Sequence, residues 1–507
     1  METAHDRRLT GSSGPRLIPC APGRGRLLGL IIMHRRTLLA AGLACPALAA
    51  SPLAWAAGPD PADRADAIVR RFMAERHVPG AQVVVVRDGA IVFSRTYGVS
   101  DLASGAKVTE RTQFPVNSIT KAFTGVAAMR EVQAGRLDLD RPIGAYVPDL
   151  PEAWRDIALR RLLSHTSGLP DFVPRQKDGA VDEATAWKEA LAAPVLFPPG
   201  QRFHYCQTNY ALVQMAVDRL HGRPVTEPLG GEQFAIAGMK ASRYGDSLDP
   251  GATRTTSYGY ARETPDKPKL RKEVFSPLAR AAAGLDSTGD DMGRWMIALM
   301  DGRLLGAAAR RTMWTQVPYT DGQLGQWGLG WLVLERPDRL VVGMTGGSRN
   351  AVYLYPDDGV GVTILGNLAG STPEDVIDEI AQGYVPGMRL TGVAALRAAL
   401  AGQPTSAFAG VIARQRRDPA FKSAEHELND WGYRLLAFGE PAKALAVLAL
   451  TADLYPGSGN AQDSLAEAHA ANGDKAAAIV HYRRSLALDP GNTNAVKRLK
   501  ALEAPPA

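Results

Sequence analysis

Two side chains that could perform nucleophilic chemistry stand close together in the segment FPVNSITKAFTGVAAMREVQAG. Ser118 precedes Lys121 by three residues, and the apolar residues around them recur at helical spacing, which predicts an amphipathic helix that begins near this serine. Residues i and i+3 share a helix face, so the Lys121 amine can reach the Ser118 hydroxyl. A lysine held among apolar groups loses part of its charge and can accept a proton, so the pair predicts covalent catalysis at Ser118 with Lys121 as the base.

Spacing alone does not select this pair, because Ser104 and Lys107 have the same spacing in SGAK. That segment is polar, contains a glycine and has no helical pattern, so its serine and lysine share no fixed geometry. The helical context therefore distinguishes Ser118 and Lys121.

The elements that must position the pair alternate between strand-like and helical patterns from residue 62 to residue 388. AQVVVVRDGAIVFSRTYG contains two β-branched runs joined at Asp88-Gly89, which predicts a hairpin. Further strands are predicted late in this region, in WGLGWLVLERPDRLVVGM and NAVYLYPDDGVGVTILGN. This order predicts an α+β fold in which both ends of the region build one antiparallel sheet and a largely helical insertion lies between them.

The end of the chain, residues 394–503, is rich in alanine and leucine and repeats itself. Gly439 and Gly473 are 34 residues apart, as are Pro456 and Pro490, and GEPAKALAVLALTADLYP aligns without a gap on GDKAAAIVHYRRSLALDP. This pattern resembles a small α-helical tetratricopeptide array, in which paired helices bury their apolar faces against neighbours. Such repeats could engage a protein partner. A helical extension packed on the preceding domain is the alternative.

Four segments together carry a family resemblance: FPVNSITKAFTGVAAMREVQAGRLDLDRPIGAYVPDLP, LRRLLSHTSGLPDF, PPGQRFHYCQTNYALVQMAV and AAAGLDSTGDDMGRWMIALMDG. Over residues 62–388 the chain resembles the penicillin-binding-protein-like serine hydrolases, the group of class C β-lactamases, D-alanyl-D-alanine carboxypeptidases and related esterases. The resemblance implies a serine β-lactamase-like fold, with an antiparallel sheet flanked by helices and an all-helical subdomain. It also implies an active site in the cleft between them.

The resemblance assigns roles to individual residues. Ser118 matches the family nucleophile, Lys121 matches its partner, and Tyr205 in YCQTNY matches the tyrosine that exchanges protons with the lysine. A phenol suits that role if a neighbouring positive charge lowers its pKa, which Lys121 would supply. The backbone N–H groups of Ser118 and Gly347 are implied to form the oxyanion hole.

Two motifs depart from the family pattern. Where relatives usually have Tyr-x-Asn, the third residue is Gln207, a longer amide that could donate to a substrate carbonyl from a displaced point. The third motif begins with Met344 instead of lysine or histidine, before Thr345-Gly346-Gly347. In the relatives the substrate lies along this strand, so the resemblance implies that Met344, Thr345 and Gly346 bind substrate. Methionine removes a charge-assisted hydrogen bond worth about 1.5–3 kcal/mol, which disfavours substrates with a free carboxylate.

The first 57 residues are predicted to be a targeting segment. They hold seven arginines and two acidic residues, whereas the whole chain has a formal net charge of +6, so the mature body is nearly neutral and indicates no nucleic-acid partner. MHRRTLLAAGLACPALAASPLAWAAG runs from a positive start through an apolar stretch to Ala54-Trp55-Ala56, as a signal peptide does. Translation could begin at Met33 instead of Met1.

Export to the periplasm or the medium follows from this prediction. The pair Arg35-Arg36 resembles a twin-arginine signal, and an ordinary secretion signal stays open. Pro46 and Pro52 interrupt the apolar run, so no integral membrane span is expected once the signal is removed.

The remaining reactive residues are interpreted as structural. His165 lies in a turn-like segment far in sequence from Ser118 and is expected to be a hydrogen-bonding residue and not a general base. Cys206 has no helix start or local base and is expected to be a small core residue. No Cys/His metal spacing, phosphate loop or G-x-S-x-G elbow occurs, so no metal or organic cofactor is predicted and an α/β-hydrolase is disfavoured.

The leading hypothesis is an exported serine hydrolase that forms an acyl-enzyme at Ser118 and cleaves an ester or an amide of a small-molecule or peptide substrate. The alternative is a weakly active or inactive binding or scaffold protein of the cell envelope. A true β-lactamase or D-alanyl-D-alanine carboxypeptidase is less favoured, because of Met344.

Overall fold

The structure of the 507-residue chain is a computed structural model. It describes residues 60–172, 175–177, 180–222, 231–247, 253–261, 264–334, 336, 338–418 and 421–503. The predicted targeting segment, residues 1–57, lies outside the described residues.

Strands occur throughout residues 62–388, and those of the six-stranded sheet come from the two ends of this range, as the sequence predicts. In chain order they are β1 Gly80–Arg87, β2 Ala90–Gly98, β3 Phe114–Pro115, β4 Arg175–Lys177, β5 Ala180–Asp182, β6 Arg243–Tyr244, β7 Ser257–Ala261, β8 Thr264–Arg271, β9 Leu285–Ser287, β10 Leu332–Leu334, β11 Val341–Gly346, β12 Asn350–Tyr355, β13 Val360–Gly366 and β14 Leu368–Ala369.

Helices fill the middle of the chain and all of its C-terminal part. They are α1 Pro61–Arg76, α2 Thr120–Gln133, α3 Glu152–Arg155, α4 Leu159–Leu163, α5 Glu183–Ala192, α6 Gln207–His221, α7 Glu232–Ala237, α8 Arg280–Ala283, α9 Gly289–Met300, α10 Ala307–Met313, α11 Glu374–Ala381, α12 Gly392–Leu400, α13 Phe408–Gln415, α14 Glu425–Ala437, α15 Pro441–Leu454, α16 Gly459–Ala471, α17 Lys475–Leu488 and α18 Thr493–Glu503.

One antiparallel sheet of six strands organises residues 62–388, named the catalytic region after the catalysis predicted at Ser118, in the order β10-β11-β12-β13-β1-β2. β1 and β13 lie side by side although they come from opposite ends of the region, which confirms the prediction of a sheet built from both ends. The Asp88-Gly89 hairpin is also confirmed: both residues have positive φ, 50° and 78°, as a tight two-residue turn requires.

Helices cover both faces of the sheet, as the side chains of β1, which point alternately to the two faces, show. Val84 and Val86 face a core that contains residues of α2 and α9, whereas Val83 and Val85 face a second core with residues of α1 and α11. A strand that is buried on both faces has apolar side chains at successive positions, which explains the continuous run of valines in the sequence. The α+β fold is therefore confirmed. The insertion between β2 and β10 contains more helix than strand and also carries the strands β3 to β9, of which β8 is as long as β1.

The C-terminal part consists of successive helices that pack on one another. α14 packs on α15, α15 on α16, and α16 on α17, with small apolar cores between them. Gly439 and Gly473 both have positive φ, 74° and 81°, at the turns that precede α15 and α17, so the 34-residue period marks equivalent turns. The helical region is thus confirmed, and its assignment as tetratricopeptide repeats stays a prediction.

Candidate active site

Ser118 lies in a short 3-10 helix, Asn117–Ile119, that leads directly into α2. The sequence predicts a helix that begins near this serine. In the structure one tight turn comes first, and the α-helix begins at Thr120. Asn117 has a φ of 50°, a left-handed conformation that asparagine tolerates better than most residues. Ser118 is partly exposed while its neighbours in the turn are buried. The serine therefore presents its hydroxyl at the end of a rigid helix.

Lys121 lies one helical turn farther on and is completely buried. Its Nζ is 3.4 Å from Ser118 Oγ, 2.8 Å from Gln207 Oε1 and 2.9 Å from the backbone carbonyl oxygen of Ala282. Burial lowers the pKa of Lys121 to about 7, because the charged form loses its hydration. The predicted juxtaposition of serine and lysine is present in the structure.

The three neighbours of Lys121 suit a neutral amine. A neutral amine has two N–H donors, which the Gln207 and Ala282 oxygens accept, and one lone pair, which can face the Ser118 hydroxyl. This arrangement can take the proton of Ser118 without first breaking a hydrogen bond. A lysine with a pKa near 7 is close to the optimum for a base at neutral pH.

Tyr205 joins the pair, with its ring centroid 4.8 Å from Lys121 Nζ. Burial raises the pKa of Tyr205 above its ordinary value, while a hydrogen bond with Ser118 acts in the opposite direction. The sequence-based expectation that Lys121 lowers this pKa is therefore not met, because desolvation of the phenolate dominates. Tyr205 is a neutral phenol, and as such it can donate a hydrogen bond or a proton.

Gln207 begins α6 and its side-chain oxygen accepts from Lys121, a contact that the sequence did not predict. Its backbone N–H donates to Asp171 Oδ1 at 2.5 Å. The amide expected to face a substrate carbonyl thus orients the lysine through its oxygen, and this contact leaves the amide nitrogen for other partners.

The third motif occupies the end of β11 and the turn to β12. Met344 is paired with Val352, is 2% exposed and packs in the main core, so its side chain lies inside the protein. Thr345 is half-buried, and Gly346 is so close to the nucleophile turn that an added Cβ would lie 1.9 Å from the Val116 carbonyl oxygen.

Gly347 lies at the turn itself and is exposed. Its φ is 59°, and a Cβ here would lie 2.6 Å from Asn117 Oδ1, so only glycine fits. The structure therefore brings the turn that carries Gly347 against the turn that carries Ser118.

A buried ionic cluster that the sequence did not reveal ties these two turns together. Arg349 is fully buried, and its Nη2 donates to Asn117 Oδ1 at 2.7 Å and to Glu273 Oε2 at 2.5 Å. Asn117 Nδ2 donates in turn to Glu273 Oε1 at 3.1 Å. The triad links the residue before Ser118 to the strand that follows Gly347. Nearby positive charge, above all that of Arg349, holds the pKa of Glu273 below its usual range despite burial.

Sequence reasoning missed this cluster for a physical reason. A charged residue between a glycine turn and an apolar strand indicates a buried ion pair, because an arginine is buried in a core only together with a partner. The partner of Arg349 is 76 residues away, and no local pattern identifies it.

His165 and Cys206 lie behind the site and are structural residues, as interpreted from the sequence. Cys206 does directly precede α6, so the expectation that no helix starts beside it was wrong. The His165 ring is 4.4 Å from the Tyr205 ring between centroids, and its Nδ1 accepts from the Cys206 backbone N–H at 3.1 Å. Burial lowers the pKa of His165 well below its ordinary value, so the ring is neutral. Cys206 is buried, and burial raises the pKa of its thiol to about 12. Neither group is activated for catalysis.

The described residues also bear on other classes of site. They contain no group of three or more histidine, cysteine, aspartate or glutamate residues arranged to hold a metal ion. Within the same part of the chain, no helix has both the length and the apolar character needed to cross a membrane.

Known proteins resemble this chain in sequence and in fold. Residues 65–385 match the family model described as Beta-lactamase. Protein flp of Staphylococcus aureus (strain MW2) is 23% identical over 246 residues, which cover 47% of this chain and 48% of that protein. A Beta-lactamase of Yersinia enterocolitica is 28% identical over 233 residues, 45% of this chain and 57% of that protein. The chain spans about half the length of the curated relatives it matches.

Solved structures with the same fold include enzymes with different names. A class C β-lactamase superposes with a TM-score of 0.55 at 20% identity over 65% of this chain and 97% of that one. A D-amino acid amidase from Ochrobactrum anthropi SV3 gives 0.55 at 24% identity over 63% and 98%. EstCE1, a hydrolase with promiscuous acyltransferase activity, gives 0.54 at 19% identity over 64% and 98%. These likenesses establish the fold and leave the substrate open.

Proposed function

Because this chain belongs to the β-lactamase family, we propose that it is an exported serine hydrolase that forms an acyl-enzyme at Ser118 and acts on an ester or an amide. The family spans β-lactamases, amidases, esterases and penicillin-binding proteins, so membership supports serine chemistry and does not select a substrate.

The observation that carries the proposal is the buried amine beside the serine. Lys121 Nζ lies 3.4 Å from Ser118 Oγ, and burial brings the pKa of this lysine to about 7. An amine in this position is neutral often enough to deprotonate the serine at neutral pH, which is the role predicted for Lys121 from its place beside Ser118 in the sequence.

Acylation follows from this arrangement. Lys121 takes the proton of Ser118 as Oγ attacks the substrate carbonyl carbon and the carbonyl π electrons move to oxygen. The backbone N–H groups of Ser118 and Gly347 donate to the resulting oxyanion. When the oxyanion collapses, the bond to the leaving group breaks and Lys121 returns its proton to that group. Tyr205, as a neutral phenol bonded to Ser118, keeps the nucleophile oriented and can relay that proton.

Deacylation repeats the steps with water in place of the serine. Lys121 removes a proton from water as its oxygen attacks the acyl carbon, and the second collapse releases the acid and returns the proton to Ser118 Oγ. The net reaction is hydrolysis, and the Lys121 amine accepts and returns the proton in each step.

Neutral substrates are favoured over those with a free carboxylate beside the third motif. Met344 supplies no charge there, and the loss of a charge-assisted hydrogen bond is worth about 1.5–3 kcal/mol, or one to two decades in binding or rate. Esters or amides that carry no carboxylate at this position are therefore preferred to β-lactams and to peptides ending in D-alanine.

Covalent labelling tests the proposal directly. After exposure to a fluorophosphonate, intact-protein and peptide mass spectrometry should locate one adduct on Ser118, and Ser118→Ala should lose it. Ser104→Ala is the matched control, since Ser104 has the same spacing to a lysine, and it should label like the parent protein. A folded protein that forms no adduct at Ser118 would contradict the proposal and favour a binding or scaffold role in the cell envelope.

Export rests on the predicted leader and needs its own test. We expect the mature protein in the periplasm or the medium to begin after the segment Ala54-Trp55-Ala56. Replacing Arg35 and Arg36 with lysines should block export if the twin-arginine route is used and leave it intact for the ordinary route. Amino-terminal sequencing of the fractionated protein reads both results, and an uncleaved protein in the cytoplasm would contradict export.

A further inference from the structure

A large cleft lies between the catalytic region and the C-terminal helices, beside the candidate active site. Gly347 and Ser348 of the turn after β11 form part of one wall, and Phe438, Ala470 and Tyr482 of the helical region form part of the other. The inner side of the same turn contacts Asn117, the residue before Ser118. Ser118 itself does not line the cleft, so the cleft adjoins the reaction centre at the turn that carries Gly347.

The cleft has a volume of about 1410 Å³. Pockets for drug-sized molecules usually measure roughly 300–1,000 Å³. A short ester would therefore leave most of this space to water, whereas a longer molecule could occupy the cleft from the turn at Gly347 to the helices.

Buried ion pairs hold the helical wall in place. Arg434 of α14 donates to Glu374 at 2.8 Å and to Asp375 at 2.9 Å, at the start of α11. Arg336, after β10, donates to Asp378 of α11 at 2.8 Å and to Glu427 of α14 at 2.9 Å. Buried charged groups of this kind tolerate little displacement, because each would lose its partner in a medium of low dielectric constant. The part of the helical wall that α14 forms is thus held against α11.

The catalytic wall is positively charged on balance, because Arg76, Lys269 and Arg271 outnumber Glu75 among the residues that line it. Lys269 and Arg271 alternate on β8, so their exposed side chains share the face that lines the cleft, while Leu270 points away. Neither cation forms an ion pair within the part of the chain that the structure describes.

The helical wall is closer to neutral. Among its acidic residues, Glu440 lies 2.5 Å from Lys443, and Glu467 lies 3.5 Å from Arg498. Apolar groups complete this wall, among them Leu436 and Leu502.

From these observations we infer that the cleft binds the non-reacting arm of the substrate and that this arm is an extended acidic peptide. The inference rests on the proposed hydrolase activity and specifies its substrate class. Carboxylates of the arm pair with Lys269 and Arg271, and its apolar side chains pack on the helices. A fatty acyl chain would bury these cations without partners, whereas a peptide supplies both kinds of group. The helical region is then part of the substrate site.

Ala470 offers a way to fill the cleft without touching the catalytic groups. It is exposed in the last turn of α16 and lines the cleft, so Ala470→Trp places a large ring inside it. Ala476 is also exposed, in the first turn of α17, but does not line the cleft, so Ala476→Trp is the matched control. Circular dichroism melts should show that both variants fold like the parent protein.

Binding is measured first, with the full chain carrying Ser118→Ala so that the probe survives. A fluorescein-labelled octapeptide of alternating glutamate and leucine should bind saturably by anisotropy. Ala470→Trp and the double variant Lys269→Glu/Arg271→Glu should each weaken binding by about tenfold or more, and Ala476→Trp should not. Lack of saturable binding, equal binding of a lysine–leucine octapeptide, or an equal effect of the two tryptophans would overturn the inference.

Turnover separates this inference from the proposed activity. The p-nitrophenyl ester of the acidic octapeptide should show a kcat/KM at least about tenfold above that of p-nitrophenyl acetate, and Ala470→Trp should remove only that advantage. Hydrolysis of both esters at equal efficiency would overturn the peptide site and leave the hydrolase intact. Specific peptide binding without a fluorophosphonate adduct at Ser118 would overturn the hydrolase activity and leave the peptide site intact.

Discussion

Lys121 Nζ lies 2.8 Å from Gln207 Oε1, so the residue that departs from the family's Tyr-x-Asn pattern is bonded to the lysine of the first motif. The two residues are 86 positions apart and come from the starts of α2 and α6. The contact gives the glutamine a defined role: its oxygen accepts one N–H of the amine and directs the lone pair toward Ser118. The electrostatic state of Lys121 should therefore depend on residue 207.

The rate of acylation should rise with pH through the pKa of Lys121, which burial lowers to about 7. A lowered lysine pKa means that the base is protonated and inactive below this value and neutral and active above it. The second-order rate of fluorophosphonate labelling, measured from roughly pH 5 to pH 9, should show this limb. A flat profile, or a limb near the ordinary lysine pKa, would contradict the role of Lys121 as base.

Gln207→Glu should move that limb upward. A carboxylate in contact with the amine favours the ammonium form and should raise the pKa of Lys121 by roughly one to three units, which reduces the rate at neutral pH. Gln201→Glu adds the same charge at an exposed position before α6 and should leave the profile unchanged. Identical pH profiles for the Gln207 variant and the parent would show that the contact is not made in solution.

Glu273→Gln should destabilise the protein strongly. It leaves Arg349, which is fully buried, without its countercharge at 2.5 Å, and breaking a buried pair from one side costs about 3–5 kcal/mol. The free energy of unfolding in urea measures the effect. Asp453→Asn breaks the exposed pair with Arg416 and should cost less than about 1 kcal/mol. Equal losses in the two variants would contradict the buried cluster.

Gly346→Ala should abolish most activity. The new Cβ would lie 1.9 Å from the Val116 carbonyl oxygen, so β11 and the turn at Ser118 must move apart. A displacement of about 1 Å can cost two decades in kcat, so esterase activity should fall by about 100-fold or more. Gly410→Ala, in α13 with no atom near the added methyl group, should retain full activity. A fully active Gly346 variant would show that catalysis does not require this contact.

The substrate preference attributed to Met344 predicts an order of rates. A short p-nitrophenyl ester should be cleaved faster than a chromogenic cephalosporin or a peptide ending in D-Ala-D-Ala, since the side chain at this position is apolar and only 2% exposed. Steady-state kcat/KM values for the three compounds give the comparison. Faster cleavage of the cephalosporin or the peptide would overturn the argument from Met344.

Local signals carried the sequence predictions that the structure bears out. The Asp88-Gly89 turn and the β-branched runs beside it predicted the hairpin of β1 and β2, because turn chemistry and strand propensity act over a few residues. Ser118 and Lys121 were recognised together for the same reason, since one helical turn fixes their distance. The 34-residue period likewise predicted the C-terminal helices.

Tertiary structure alone decided how distant segments meet at the site. The pairing of Arg349 with Glu273, the bond from Lys121 to Gln207 and the raised pKa of Tyr205 depend on residues far apart in the chain and on burial, which no local pattern encodes. The sequence by itself determined the serine, the lysine and the elements that carry them. The fold determined the protonation of these groups and the cleft beside them, because desolvation and long-range contacts exist only once the chain has packed.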